Sequence, residues 1–176
     1  MAASYYSFWL VPQDPDLSYF QGVINTLARR FGTVSFTPHV TLYSALVSSS
    51  VDVKQVCEAL PLSEPLVLDV VNVSYGARFS KTLYVQLNQT PSLANLVNRL
   101  VSAIPDAQLP TLDPHLSVLY HRLDVATKQG LTDSISLPRS TIQFNQVQAI
   151  AAPETFETQE HVASLRFVYS RLLTTP

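Results

Sequence analysis

Pro38-His39-Val40-Thr41-Leu42-Tyr43 and Pro114-His115-Leu116-Ser117-Val118-Leu119-Tyr120 say nearly the same thing twice. Each runs proline, histidine, an apolar residue, a hydroxyl residue, then more apolar positions and a tyrosine. Val40, Leu42, Leu116 and Val118 are strand formers. Residues two apart on a strand share a face. The phrase therefore predicts His39 beside Thr41 on one strand and His115 beside Ser117 on another, with the apolar members turned into a core. Pro38 and Pro114 lack a backbone N–H and restrict their neighbours, which suits the start or edge of a strand. Both histidines are thus expected at strand beginnings, next to loops that can admit a substrate.

Imidazole titrates near neutrality, so one ring can be neutral while the other is charged. The neutral ring can take a proton from water and the charged ring can give one to a leaving alkoxide, transfers worth roughly 10²–10⁴-fold in rate. The hydroxyls of Thr41 and Ser117 can donate hydrogen bonds to phosphate oxygens. Such donors stabilise charge where it develops. A single His-x-Thr in a strand is ordinarily structural. Its recurrence, with the same proline before and an aromatic after, favours acid-base chemistry on a phosphate ester.

Outward from the two phrases, periodicity gives the remaining elements. Tyr5 to Val11 reads as a strand, and Asp14 is placed to cap a helix that opens at Pro15. Leu17, Phe20, Ile24, Leu27 and Phe31 recur at helical spacing until Gly32. A helix from Asp52 ends at Pro61. Leu66 to Tyr75 and Thr82 to Leu87 read as a strand pair joined around Gly76–Lys81. Thr90-Pro91 opens a helix that runs to Ala103, and Ala126 to Ile135 forms a short one. Two late strands, Thr141 to Ile150 and Ala163 to Leu172, flank a polar loop from Pro153 to His161. The order is α+β with two similar halves, not a succession of parallel βαβ units. With only four glycines, the Gly-rich phosphate loops of dinucleotide and P-loop folds lack their key residues.

The 176 residues suit one domain, residues 1–176, built of two fused halves. Hydrophobic residues make up 47% and charged residues 14%, which supports a large core and argues against disorder. A net charge of −2 argues against tight binding to long nucleic acid. The lone Cys57 excludes an internal disulfide and fits a reducing compartment. No secretory signal and no membrane-length apolar run is legible. A cytoplasmic monomer that contacts neither membrane nor long nucleic acid is expected.

The paired phrases resemble the His-x-Thr/Ser motifs of the two-histidine (2H) phosphoesterase superfamily. More narrowly, the chain resembles the cyclic phosphodiesterases of plants and fungi. Ser7-Phe8-Trp9-Leu10-Val11-Pro12 is similar to the first strand of that family, and Phe36 to Thr41 and Pro114 to Tyr120 to its two motifs. The resemblance implies a bilobal fold, two pseudo-symmetric lobes of antiparallel sheet and helix around a central cleft. It implies His39 and His115 as the catalytic pair, with no metal and no cofactor. It also implies substrate contacts from Thr41, Ser117, Tyr120 and Trp9. Plant members carry several cysteines. With Cys57 alone, a disulfide-gated loop is absent, which points away from a plant source.

Trp9 reads either as an interior aromatic or as a platform on which a base stacks. Tyr120 reads either as a core tyrosine or, through the resemblance, as a phosphate contact. Tyr43 is included as a substrate contact because strand parity places it with His39 and Thr41. Arg78 and Lys81 read as a solvated turn ahead of the alternative that they reach substrate phosphate, His121 and His161 as surface residues, and Cys57 as a small core residue. None of the four histidines has the company of a common zinc site. The expected substrate is a small cyclic phosphate. A nucleoside 2′,3′-cyclic phosphate would give a 2′-phosphate, and ADP-ribose 1″,2″-cyclic phosphate would give the 1″-phosphate. His115 is expected as base and His39 as acid. The alternatives are RNA end processing, as a 2′–5′ phosphodiesterase or ligase, and a nucleotide-binding module without catalysis.

Overall fold

Helix boundaries in the computed structural model, which describes residues 3–61 and 64–173, follow residues suited to start and stop them. Strand β1 (Ala3–Pro12) leads into α1 (Asp16–Phe31). Asp14, expected as the cap, sits one position outside the N-cap Pro15, yet its carboxylate still accepts from the Ser18 amide at 3.1 Å. The helix therefore opens one residue later than expected. Gly32 ends it in the left-handed region at φ 63°, where a residue without Cβ is least strained. Strand β2 (Val40–Ser48) follows, then α2 (Val53–Glu58), capped by Asp52. Strand β3 (Leu66–Tyr75) joins β4 (Leu83–Leu87) through a 3₁₀ turn at Phe79–Lys81. Helix α3 (Pro91–Ser102) has Thr90 as N-cap and proline in its first turn, where the missing N–H costs nothing. Then come β5 (His115–Leu119), α4 (Val125–Ser134) and β6 (Thr141–Ala151). The polar stretch after β6 contains a short helix, α5 (Gln159–Ala163), before β7 (Arg166–Leu172). Ala163 was expected to open that last strand. It is helical instead, because Thr158 caps the turn by accepting from the His161 amide.

The repeat in sequence is a repeat in topology. Strand, helix, motif strand, helix, strand occurs twice, as β1-α1-β2-α2-β3 and β4-α3-β5-α4-β6. Every pairing is antiparallel. The third strand of each half crosses over. β3 pairs with β4, and β6 pairs with β1. One lobe is therefore β2-β1-β6-β7 and the other is β5-β4-β3, each completed by a strand from the opposite half. Leu66 to Asp69 of β3 also pair with β6, joining the lobes on one side. On the other side the joint is the single pair Val40 with Leu116, the apolar residues inside the two motifs. The expected bilobal α+β fold is what forms.

Phe8, Leu10, Leu83, Val85, Leu116 and Val118 are fully buried beneath the helices. Helices α1 and α3 bury Phe20, Ile24 and Leu27, and Leu93, Leu96, Val97 and Leu100, the faces set by their 3.6-residue period. Each such side chain contributes about 2 kcal/mol of burial. Cys57 is fully buried in this core, which pushes its thiol up to about 12. Among the described residues no helix is long and apolar enough to cross a membrane.

Each motif strand carries one extra residue at the same place. Phe8 pairs with Tyr43 and Trp9 with Thr41, so Leu42 is the extra residue in β2. Leu83 pairs with Leu119 and Tyr84 with Ser117, so Val118 is the extra residue in β5. A bulge breaks the alternation of faces from that point on. Beyond it, the residue five after each histidine, not four, returns to the cleft side. These positions are Tyr120, which lines the cleft, and Ser44, whose hydroxyl donates to the cleft residue Ser7.

Candidate active site

The residue two before each histidine fixes its ring. Nδ1 of His39 donates to the Thr37 carbonyl at 2.6 Å, and Nδ1 of His115 donates to the Asp113 carbonyl at 2.7 Å. A carbonyl oxygen can only accept, so the hydrogen lies on Nδ1 in both rings. The proline between carbonyl and histidine holds the backbone extended while offering no competing N–H. Nε2 is therefore the unprotonated, accepting nitrogen of each neutral imidazole. Both rings line one cleft of about 260 Å³. Val40 opposite Leu116 is the pivot of an antiparallel register, which sets His39 toward Ser117 and Thr41 toward His115.

His39, expected to open its strand, lies one residue ahead of β2, and only 4% of it is exposed. Trp9 stacks on its imidazole at 3.6 Å between ring centres, with planes 4° apart. The Trp9 indole N–H donates to Ser7 Oγ at 2.8 Å, which holds the indole flat against the ring. Tyr120 stacks on Phe36 at 3.9 Å, and its hydroxyl lies 3.3 Å from Nε2 of His39. Burial pushes that phenol well above its ordinary range, so Tyr120 keeps its proton and donates it to the ring. Burial, more than any other influence, lowers His39 to about 3. His39 is therefore neutral at physiological pH.

His115 is more open, with 26% of its side chain exposed. It is also lowered, by burial first and then by the cations of Lys81 and Arg78, against the carbonyl and carboxylate of Asp113. Tyr84 makes a T-shaped contact with the His115 ring, the ring centres 5.6 Å apart. Tyr84 is the counterpart of Trp9, since each pairs with the hydroxyl residue beside the bulge. The 3₁₀ turn belongs to this half of the site. The Ser117 hydroxyl donates to the Ser80 carbonyl at 2.8 Å. Buried Lys128 reaches from α4 to the Gly76 carbonyl at 2.9 Å, and Gly76 carries no Cβ because one would stand 2.6 Å from the Lys81 carbonyl oxygen. These contacts fix Ser80 and Lys81 beside His115.

Trp9, His39, Thr41, His115, Ser117 and Tyr120 are brought to this cleft. Tyr43 is not, which corrects the parity argument. The bulge at Leu42 turns Tyr43 to the side of Phe8, where it packs against the core. Trp9 covers an imidazole with the face expected to meet a base. Ser117 spends its proton on Ser80, whereas the exposed Thr41 hydroxyl faces the cleft. Lys81 is no solvated turn residue, since its ammonium lies 2.5 Å from Asp113. Tyr5, Ser7, Ser80, Glu154 and Phe156 also line the cleft and were not foreseen. Tyr5 and Ser7 had a legible signal, sharing the strand parity of Trp9 on β1. His121 and His161 lie outside it. Among the described residues no group of three or more His, Cys, Asp or Glu is placed to hold a metal ion.

Two antiparallel lobes that each deliver one His-x-Thr/Ser strand to a shared cleft define a phosphoesterase of the two-histidine class. The chain belongs to the cyclic phosphodiesterase-like protein family, which it matches over residues 1–137. It is similar to a cyclic phosphodiesterase of Arabidopsis thaliana, 24% identical over 167 residues that cover 90% of this chain and 92% of the relative. Its fold is similar to that of LigT from E. coli complexed with 3′-AMP, with a TM-score of 0.61 and 13% identity over 99% of this chain and all of the other. A phosphoesterase crystal structure superposes with a TM-score of 0.56 over the same shares, at 13% identity. The chain is thus a phosphodiesterase with a LigT-like fold.

Proposed function

We propose that this phosphodiesterase opens small cyclic phosphates on a ribose, with nucleoside 2′,3′-cyclic phosphates and ADP-ribose 1″,2″-cyclic phosphate as its substrate class. The observation that carries the reading is the pair of imidazoles held in the same tautomer, each with an unprotonated Nε2, lining one cleft. Water attacks phosphorus in line. Nε2 of His39 takes the proton of the attacking water, and Nε2 of a protonated His115 gives one to the departing ribose oxygen. With a 2′,3′-cyclic phosphate the P–O3′ bond breaks and a 2′-phosphate remains. The Tyr120 hydroxyl turns from Nε2 to a phosphoryl oxygen as His39 is engaged. Thr41 donates to the same group.

This assignment reverses the roles expected from the sequence. The sealed, apolar surroundings of His39 disfavour the charged form an acid needs, while His115 has more water and a carboxylate nearby. A cleft of about 260 Å³ lies at the small end of ligand sites and favours a mononucleotide-sized substrate over RNA ends. The net charge of −2 supports the same ranking. Phosphorus NMR of the protein with 2′,3′-cyclic AMP, and separately with ADP-ribose 1″,2″-cyclic phosphate, in the presence of chelator, tests it. A 2′-phosphate is the expected product from the first. No turnover of either, or faster cleavage of a 2′–5′ dinucleotide, would overturn the proposal.

Thr41→Val is expected to lower kcat/KM by about 10²-fold, the loss typical of one oxyanion donor. Steady-state kinetics on the cyclic nucleotide measure it. The pH profile of kcat/KM has a determined shape. The base must be neutral, a condition that the depressed value of His39, about 3, meets at every pH where the fold holds, so the acid limb of the profile follows unfolding. The acid must be charged, so activity falls as pH rises through the lowered value of His115. The optimum is therefore expected on the acid side of neutrality.

A further inference from the structure

The two lobes match closely in backbone and differ sharply in charge. The residue that fixes the histidine tautomer is Thr37 in one lobe and Asp113 in the other. The Asp113 carboxylate lies 3.9 Å from Nδ1 of His115. It is also gripped from outside. Lys81 Nζ stands 2.5 Å from Oδ2, and Gln86 Nε2 donates to Oδ1 at 3.1 Å. Gln86 pairs with His115 across β4 and β5 and donates to the Pro114 carbonyl at 3.0 Å as well. Lys81 also sits 4.4 Å above the ring of Tyr84, which makes the T-shaped contact with His115.

We infer that Lys81 and Asp113 are positioning residues that tune His115 as a proton donor. Asp113 aligns the ring through its carbonyl and favours the imidazolium through its carboxylate. Lys81 outweighs that carboxylate at the ring, so the ring can surrender its proton to the leaving oxygen. A carboxylate without Lys81 would hold the proton too tightly, and Lys81 without the carboxylate would keep it off. The charged and titratable groups that face His115 are Asp113 beside it, Lys81 and Arg78 from the turn, Tyr84 from β4 and His39 from the other lobe. Only the Lys81–Asp113 pair touches both its charge and its orientation. The effect of this pair on catalysis rests on the reading of His115 as the acid. Its effect on the ring does not.

The test is an NMR titration of the His115 ring in the ligand-free protein, alongside the pH profile of kcat/KM. Lys81→Met should raise the titration point of His115, Asp113→Asn should lower it, and Lys81→Arg should restore it. The ratio of kcat/KM at about pH 8 to that at about pH 6 should rise roughly fivefold in Lys81→Met and fall in Asp113→Asn. Titration of His115 at the native pH in both variants would overturn the inference. A titration point that moves as stated while the activity profile stays put would uphold the tuning and refute His115 as the acid.

Discussion

His115→Ala should retain its fold and lose about 10³-fold in kcat on a 2′,3′-cyclic nucleotide. Removing a general acid costs roughly 10²–10⁴-fold, and the departing ribose oxygen has no other close donor in the proposed geometry. His115 opens β5 with a quarter of its side chain exposed, so the stability change should be within about 1 kcal/mol. His39→Ala should lose activity on the same scale but for two reasons. It removes the base, and it empties a site packed against Trp9 while leaving the buried Tyr120 hydroxyl without its acceptor. Cavity and orphaned donor together cost about 3 kcal/mol. His39→Asn keeps more of the volume and separates the two losses. Turnover by either alanine variant within about tenfold of the native rate would refute the two-histidine mechanism. Circular dichroism and urea melts would establish that the variants are folded.

Acid should weaken this protein through His39, beginning above the pH at which carboxylates are protonated. The folded-state value of about 3 lies below the ordinary 6.5, so the unfolded chain binds the proton first. Stability contributed by the neutral, buried ring is complete above about pH 6.5. It drains by more than 1 kcal/mol per pH unit as pH falls toward 3. The whole loss is roughly 5 kcal/mol, comparable with the total stability of many domains. Urea denaturation from about pH 7 to pH 4 measures it. The slope should flatten in His39→Asn, which has nothing to titrate there. An identical slope in native protein and variant would show that His39 is not held neutral by its surroundings.

The histidines and their hydroxyl partners were legible because the phrase that carries them is written twice, and chance seldom repeats six positions. The elements were legible for a similar reason. Thr90-Pro91, Asp52 and Gly32 punctuate helices through local backbone chemistry that needs no distant partner. Tyr43 failed because parity is a property of an unbroken ladder. One extra residue at Leu42, created by pairing with β1, turns Tyr43 away from the cleft. The same displacement at Val118 is what makes Tyr120 the cleft residue of the second motif. Ser80 and Lys81 were passed over because a turn rich in polar residues usually faces water. Their place in the site depends on Ser117, Asp113 and Lys128, all distant along the chain.

Local covalent and periodic constraints, the proline before each histidine and the alternation after it, were enough to specify two lobes and the chemistry they would bring. Which ring is buried and which stands beside a carboxylate and an ammonium depended on contacts between residues far apart in sequence. Electrostatic environment falls off with distance in space, not along the backbone. The shared motifs could therefore announce two equivalent histidines, while only the packed structure made them unequal.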